Sequence, residues 1–286
     1  MSFASSVHGD NMPVPVTTMQ LGNTMSFVYE VDGTIATLTL DNPPVNVLTP
    51  AHHKDLLEIL REFVADPSVR VCVWTGAGER AFCAGDDIKT VRPQRTVAER
   101  VERVLAPRHE KEELDYPGWE TEVLALKRYK PIIGAVHGHC LGQGFIYLML
   151  LTDIRIAAEN ASLGLPEIKY GMGGAGGILR LSRQIPHAAA MWMLLTGEPY
   201  TAEEAKTYGI VNEVVSKENL MPRAMAVAKR IAAHPPIAVR TEMEAYYRGQ
   251  DMTKDDALVF SSNLYRMSRL GVDSAPPLAK KDESSS

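Results

Sequence analysis

Two glycine-bearing segments carry the residue types that could do chemistry. The first is Ala81-Phe-Cys-Ala-Gly-Asp-Asp-Ile-Lys89 and the second is His137-Gly-His-Cys-Leu-Gly-Gln-Gly144. Each follows a strand-like run and leads towards a helical pattern. A junction of that kind leaves backbone N–H groups without intrahelical partners, aimed where an anion or a developing oxyanion can sit. Two such junctions converging would supply the donor pair that an enolate or tetrahedral oxyanion needs, each donor worth roughly 3–4 kcal/mol. Either turn alone is equally explained by glycine's ordinary use in tight turns. No phosphate loop competes, since no GxxxxGK followed by Ser or Thr is present, and no GxGxxG follows a first strand with an acid roughly 20 residues on. The glycine-dense stretch 171–177 follows Pro166-Glu-Ile-Lys-Tyr170, a poor parallel strand. It reads as a backbone-close loop opening a helix over 178–184.

The other reactive side chains are more scattered. Cys72, Cys83 and Cys140 lie far apart, with no CxxC and no histidine at ligand spacing. Neither a disulfide scaffold nor a metal site is expected, and reduced thiols in a cytoplasmic protein fit best. Cys83 and Cys140 adjoin the two turns but lack an obvious base, which argues against a nucleophile. His137 and His139 are open to two readings, strand-end histidines bonded to backbone or auxiliary acid–base groups. Tyr147 sits in the apolar run 145–151, where a tyrosine is commonly a core residue with its hydroxyl satisfied.

The elements that must position these residues alternate in period. Residues 26–31 and 34–40 read as strands flanking an Asp32-Gly33 hairpin turn. Residues 51–65 have helical spacing and stop at Asp66-Pro67. Residues 69–74, 131–136 and 153–158 read as strands, and 142–151 as a short apolar helix. Beyond about residue 175 helical spacing dominates, over 187–195, 201–208, 217–233, 235–248 and 253–270. Strands alternating with helices predict an α/β layer fold with crossover connections. The C-terminal helices carry more apolar positions than one small bundle face needs, as a self-association surface would.

The whole chain has 286 residues, 45% of them hydrophobic and 23% charged, which suits a globular enzyme and excludes disordered and fibrous classes. Its net charge of -5 gives no electrostatic reason to expect nucleic acid or an anionic membrane surface. The longest apolar run, 145–151, is far short of the roughly 20 residues that span a bilayer. The first 25 residues hold no Lys or Arg and no sustained apolar stretch, so no secretory signal is expected.

Taken together, Phe82-Cys-Ala-Gly-Asp-Asp-Ile-Lys89, the Gly142-Gln-Gly144 turn with Asp153-Ile-Arg-Ile-Ala157, and Leu165-Pro-Glu-Ile168 followed by Gly176-Gly177 resemble the crotonase (enoyl-CoA hydratase/isomerase) superfamily. The resemblance covers about residues 26–270, and Asn42-Pro-Pro-Val-Asn-Val-Leu48 and Leu195-Thr-Gly197 also fit it. It implies an α/β fold, a spiral of ββα turns over 25–215, with a C-terminal helical oligomerisation region over 216–273. Residues 1–24 would be a loose arm and 274–286 a disordered tail. It further implies an acyl-CoA thioester substrate, with coenzyme A carried on the substrate and no separate cofactor, and a homotrimer or a dimer of trimers. By motif position, the thioester enolate would be held by the backbone N–H groups of Asp86 and Gln143. Ala84, Gly85, Gly142 and Gly144 would line the substrate, and Lys89 would lie near the CoA phosphates unless it is a solvated surface lysine.

The same resemblance exposes a departure. Family hydratases hold one water between two glutamates, and Glu167 matches the second of them. Its apolar neighbours Leu165 and Ile168 would raise its pKa into a range useful for proton transfer. The first glutamate should fall at Ile146 counting from the glycine turn, or at Tyr147 counting back from Asp153. Neither is a carboxylate. One base and an oxyanion hole suffice to move a double bond, so isomerase-like proton transfer by Glu167 is the preferred expectation. Hydration, thioester hydrolysis or decarboxylation (with Tyr147 as a positioning group) and a silent CoA-thioester-binding subunit are the alternatives. Glu110, Glu112 and Glu113 lie in the 92–125 stretch that borders the acyl pocket in the family, and a solvated helix face explains them as well.

Overall fold

The computed structural model describes residues 17–19, 26–89, 94–105, 118–173, 181 and 183–272. Glu110, Glu112, Glu113, Gly176-Gly177, the start of the expected 178–184 helix, the 274–286 tail and most of the expected arm lie outside the described residues. The strands are β1 (Thr17–Met19), β2 (Phe27–Asp32), β3 (Ile35–Leu40), β4 (Val71–Gly76), β5 (Ala81–Cys83), β6 (Ile132–Val136), β7 (His139–Leu141), β8 (Ile154–Ala158), β9 (Ser162–Gly164), β10 (Tyr200–Thr201) and β11 (Glu213–Val215). The helices are α1 (Pro50–Ala65), α2 (Val97–Leu105), α3 (Trp119–Ala125), α4 (Gln143–Leu151), α5 (His187–Thr196), α6 (Ala202–Thr207), α7 (Lys217–Ala232), α8 (Pro236–Gly249) and α9 (Lys254–Val272), and Pro166–Tyr170 forms a 3-10 turn.

A large sheet has the order β1-β2-β3-β4-β6-β8-β11, parallel from β3 onward, and a small sheet has the order β10-β9-β7-β5. Successive passes β4–β5, β6–β7 and β8–β9 each place one strand in the large sheet and the next in the small one. The chain therefore climbs as a spiral. Within the stretch expected as a loose arm, β1 pairs antiparallel with β2. At the first hairpin Asp32 pairs with Ile35, so the two-residue loop is Gly33-Thr34, one residue later than expected. Gly33 takes φ +58 there, in the left-handed region glycine enters without a Cβ penalty.

Alternation along the strands covers both faces of the large sheet. Cys72 and Trp74 join one apolar cluster with α1 and α4, while Val71 and Val73 join another with Leu220, Ala224, Ala228 and Ala232 of α7. Thus α7, the first helix of the C-terminal region, covers the sheet itself. Helices α8 and α9 pack on each other, with the Arg248 guanidinium 4.4 Å from the Phe260 ring centre. Tyr247 of α8 donates to Asp153 at 2.5 Å, tying the pair to the spiral. Asp153 also binds Arg128 at 2.7 Å and the Ile132 N–H at 2.7 Å, a structural role.

Candidate active site

The site begins with a strap. Asn46 is buried at φ +54, accepts from Asn42 N–H at 2.9 Å and donates its amide to Ala81 O at 2.7 Å and Ala77 O at 3.0 Å. This fastens residues 42–48 across the end of β5. Ala84 N–H donates to Val45 O at 3.1 Å, Leu48 N–H to Gly85 O at 2.9 Å, and Asp87 N–H to Leu48 O at 2.7 Å. Because Gly85 C=O and Asp87 N–H both face Leu48, the extended chain between them turns the Asp86 N–H to the opposite side. Among the described residues that N–H has no acceptor.

The second turn ends β7. Gly142, at φ +55, donates its own N–H to Gly164 O at 3.0 Å, and α4 starts at Gln143. The first N–H groups of a helix have no intrahelical acceptor, and Gln143 N–H meets none among the described residues. The two turns touch. A Cβ placed on Gly85, whose φ is +95, would lie 2.9 Å from Leu141 O and 3.4 Å from Gln143 N. One on Gly142 would lie 3.3 Å from Glu167 Oε1 and 3.7 Å from Gly85 Cα. Two free donors, the N-terminal end of α4 and a carboxyl group therefore meet where only glycine leaves room. Such a corner can hold an oxygen that gains negative charge beside a group that moves a proton. Gly144 packs against Cys83 instead, where a Cβ would come within 2.7 Å of Sγ, so it lets the two turns close rather than lining the corner.

Glu167 stands in the 3-10 turn, half-buried, with Oε2 enclosed and without a hydrogen-bond partner among the described residues. Burial raises its pKa, the Asp86 charge adds to this, and its own backbone N–H partly opposes it. Tyr147 is fully buried in α4 and its hydroxyl lies 2.7 Å from His53 Nδ1. Ile146 is buried in the core. Lys89 is exposed, its N–H donating to Asp87 Oδ1 at 2.9 Å. His137 is buried with Nε2 on Gly76 O at 2.9 Å, a bond to backbone at a strand end. Burial pushes the Cys83 thiol up to about 12, which leaves it no thiolate at neutral pH.

Two further residues were not singled out in the sequence. Glu120, in the first turn of α3, is half-buried; burial raises its pKa, Asp86 adds to the rise, and His53 and the Gln143 amide oppose it. His53 of α1 is buried with Nε2 3.2 Å from Asp86 Oδ1. Helix α1 starts at Pro50, immediately after the strap, and the Thr49 hydroxyl and N–H both meet His52 Nδ1, at 2.7 and 3.0 Å. Starting the helix there points His53 at the first turn. A signal existed for His53, a polar residue on an otherwise apolar helix face. Nothing in spacing tied Glu120 to turns more than twenty residues away.

The spiral of paired sheets is a fold shared with known proteins. The sequence profile of the enoyl-CoA hydratase/isomerase family matches residues 30–269. The chain is 37% identical over 247 residues to (E)-benzylidenesuccinyl-CoA hydratase of Thauera aromatica, covering 86% of this chain and 91% of that one. It is 36% identical over 246 residues to carnitinyl-CoA dehydratase of Escherichia coli K12, covering 84% and 85%. Its fold matches the crystal structure of an enoyl-CoA hydratase from Bacillus anthracis with a TM-score of 0.72 at 32% identity, over 84% of this chain and 90% of that one. The chain belongs to the crotonase (enoyl-CoA hydratase/isomerase) family and is an acyl-CoA enzyme of that family. Among the described residues no cluster of His, Cys, Asp or Glu could hold a metal ion, and no helix is long and apolar enough to cross a membrane.

Proposed function

We propose that this chain catalyses the reversible addition of water to the double bond of a 2-enoyl-CoA thioester. The observation that carries the reading is a second half-buried carboxylate. Glu167 lies against Gly142 and Glu120 lies near the Gln143 amide, so the two flank one turn, and burial raises the pKa of both. The expectation of isomerisation rested in part on the lack of a carboxylate at Ile146 and Tyr147, and Glu120 offers a second carboxylate from another helix. The similarity to proteins named hydratase and dehydratase supports the same reading.

In this mechanism the thioester oxygen accepts from the Asp86 and Gln143 N–H groups, each worth roughly 3–4 kcal/mol as charge develops. Glu120 takes a proton from water as the water oxygen bonds to Cβ and the π electrons move onto the thioester oxygen. The enolate then collapses and takes the Glu167 proton at Cα. Dehydration runs the same steps backwards. Both acids stand in the first turn of a short helix, so the roles are assigned from what else surrounds them: the Gln143 amide favours an anion on Glu120, whereas Glu167 Oε2 is enclosed without a hydrogen-bond partner among the described residues. Lys89 is the candidate contact for the CoA phosphates. Self-association through the C-terminal helices, where Leu258, Val259, Tyr265, Met267 and Leu270 are exposed, belongs to the same reading.

The test separates the two acids. Glu120→Gln should lose hydration of crotonyl-CoA yet still exchange the α-protons of a saturated acyl-CoA in deuterated water. Glu167→Gln should lose both. Wild-type protein that isomerises 3-hexenoyl-CoA but does not hydrate crotonyl-CoA would return the preference to isomerisation.

A further inference from the structure

Three groups from three elements form a chain behind the first turn. The buried Tyr147 hydroxyl of α4 sits 2.7 Å from His53 Nδ1, and His53 Nε2 sits 3.2 Å from Asp86 Oδ1. The Tyr147 and His53 rings meet edge to face, at 5.6 Å and 80°, which locks the imidazole plane. The titratable groups facing His53 are Tyr147, Asp86, Glu120 of α3 and the adjacent His52. Asp86 is an unusual residue for its place. Its N–H is one of the two free donors, yet its side chain carries a negative charge within one residue's length of the oxygen that would gain charge there. An unopposed carboxylate at that point works against the donor attached to it.

The tautomer of His53 answers this. The Asp86 carboxylate can only accept, so a neutral imidazole places its proton on Nε2 facing Oδ1, and Nδ1 then accepts from the Tyr147 hydroxyl. The contact is close but off the line of an ideal hydrogen bond, as suits electrostatic attraction rather than a single directed bond. We propose that His53 is a positioning residue of the oxyanion hole: held by Tyr147, it draws the Asp86 carboxylate back and offsets its charge, leaving the Asp86 N–H to act on the thioester oxygen. This rests on the reading of Asp86 and Gln143 N–H as the thioester-oxygen donors.

A cinnamoyl-CoA thioester is the probe, because polarising its carbonyl shifts its absorption to the red. Wild type should bind it with a red shift. His53→Leu should bind it without the shift and lose kcat on the order of tenfold to a hundredfold with KM little changed. His53→Gln, which can still donate to Asp86, should keep both. Adding Asp86→Asn to His53→Leu should restore much of the lost kcat, because the charge that needed offsetting is gone. Thermal melts identify any variant that fails to fold, and the Gln variant and the double variant keep the question open to test in that case. A His53→Leu protein that shows the wild-type shift and kcat overturns the proposal, as does an Asp86→Asn change that only deepens the defect. Wild type that binds the probe with no shift would instead remove the oxyanion-hole reading beneath it.

Discussion

Replacing Gly85 by Ala tests the convergence of the two turns. Its φ of +95 lies where a Cβ is strained, a cost of about 1–2 kcal/mol. The added methyl would also lie 2.9 Å from Leu141 O, a backbone atom that cannot swing aside, and such overpacking costs typically about 1–3 kcal/mol. The structure supplies a matched control. Gly78 has φ +75, yet a Cβ there meets nothing within 4 Å, so Gly78→Ala carries the backbone strain alone. Urea unfolding should therefore show a loss of about 1–2 kcal/mol for Gly78→Ala and about 2–5 kcal/mol for Gly85→Ala. Activity should separate them more sharply. The Gly85 methyl would sit 3.4 Å from Gln143 N, in the space where an oxygen must approach that donor. Losing one such donor costs on the order of 10²–10³ in kcat, whereas Gly78→Ala should hydrate crotonyl-CoA at the wild-type rate. A folded Gly85→Ala protein with the kcat of its control would refute the placement of the oxyanion between these two turns.

Glu167→Gln should cost on the order of 10²–10⁴ in rate and yet stabilise the fold at neutral pH. A carboxyl whose folded pKa is raised contributes fully below its unfolded pKa and loses that contribution as pH climbs through the folded one. The melting-temperature gain of the Gln variant should hence be largest at neutral pH and close as pH falls into the ordinary carboxylate range; a gap that widens on acidification would contradict the raised pKa. Asn46→Ala leaves the buried Ala81 carbonyl without the Asn46 amide and releases the strap, for a loss of about 1–3 kcal/mol, readable in urea melts. Because the strap also orients the Asp86 N–H, kcat should fall with it even under conditions where the variant is fully folded.

The parts of this fold that were legible in the sequence are those with enough length to show a period. Helix α1 was readable from Leu56, Leu57, Leu60 and Phe63 and from its stop at Asp66-Pro67, and α7, α8 and α9 from their helical spacing. Strands β3, β4, β6 and β8 were readable as apolar runs. The small sheet was not, because β5, β7, β9 and β10 have two or three residues each and no period can be seen in so few. Yet that sheet delivers the site: β5 ends at the Gly85 turn and β7 at the Gly142 turn. The glycines announced the turns, and only the pairing of β5 with β7 brings them into contact.

The site shows the same divide between what is local and what is not. Glu167 and Gly142 were legible because each sits in a short motif whose backbone geometry is local. Glu120 was not, because its part depends on how α3 lies against α1 and α4. The lack of an acid at Ile146 and Tyr147 looked like the loss of a function while α4 was considered alone. In three dimensions α4 faces α3, and a carboxylate in the first turn of α3 comes near enough to the Gln143 amide to be influenced by it. After Gln143 and Gly144, α4 is apolar apart from the Tyr147 hydroxyl, which meets His53 Nδ1 on the side away from Asp86. On this view the Tyr147 hydroxyl and the Asp86 carboxylate are the two partners of one imidazole, His53. Without His53 the buried Tyr147 hydroxyl would lose its hydrogen bond and the Asp86 carboxylate would stand unopposed beside its own N–H.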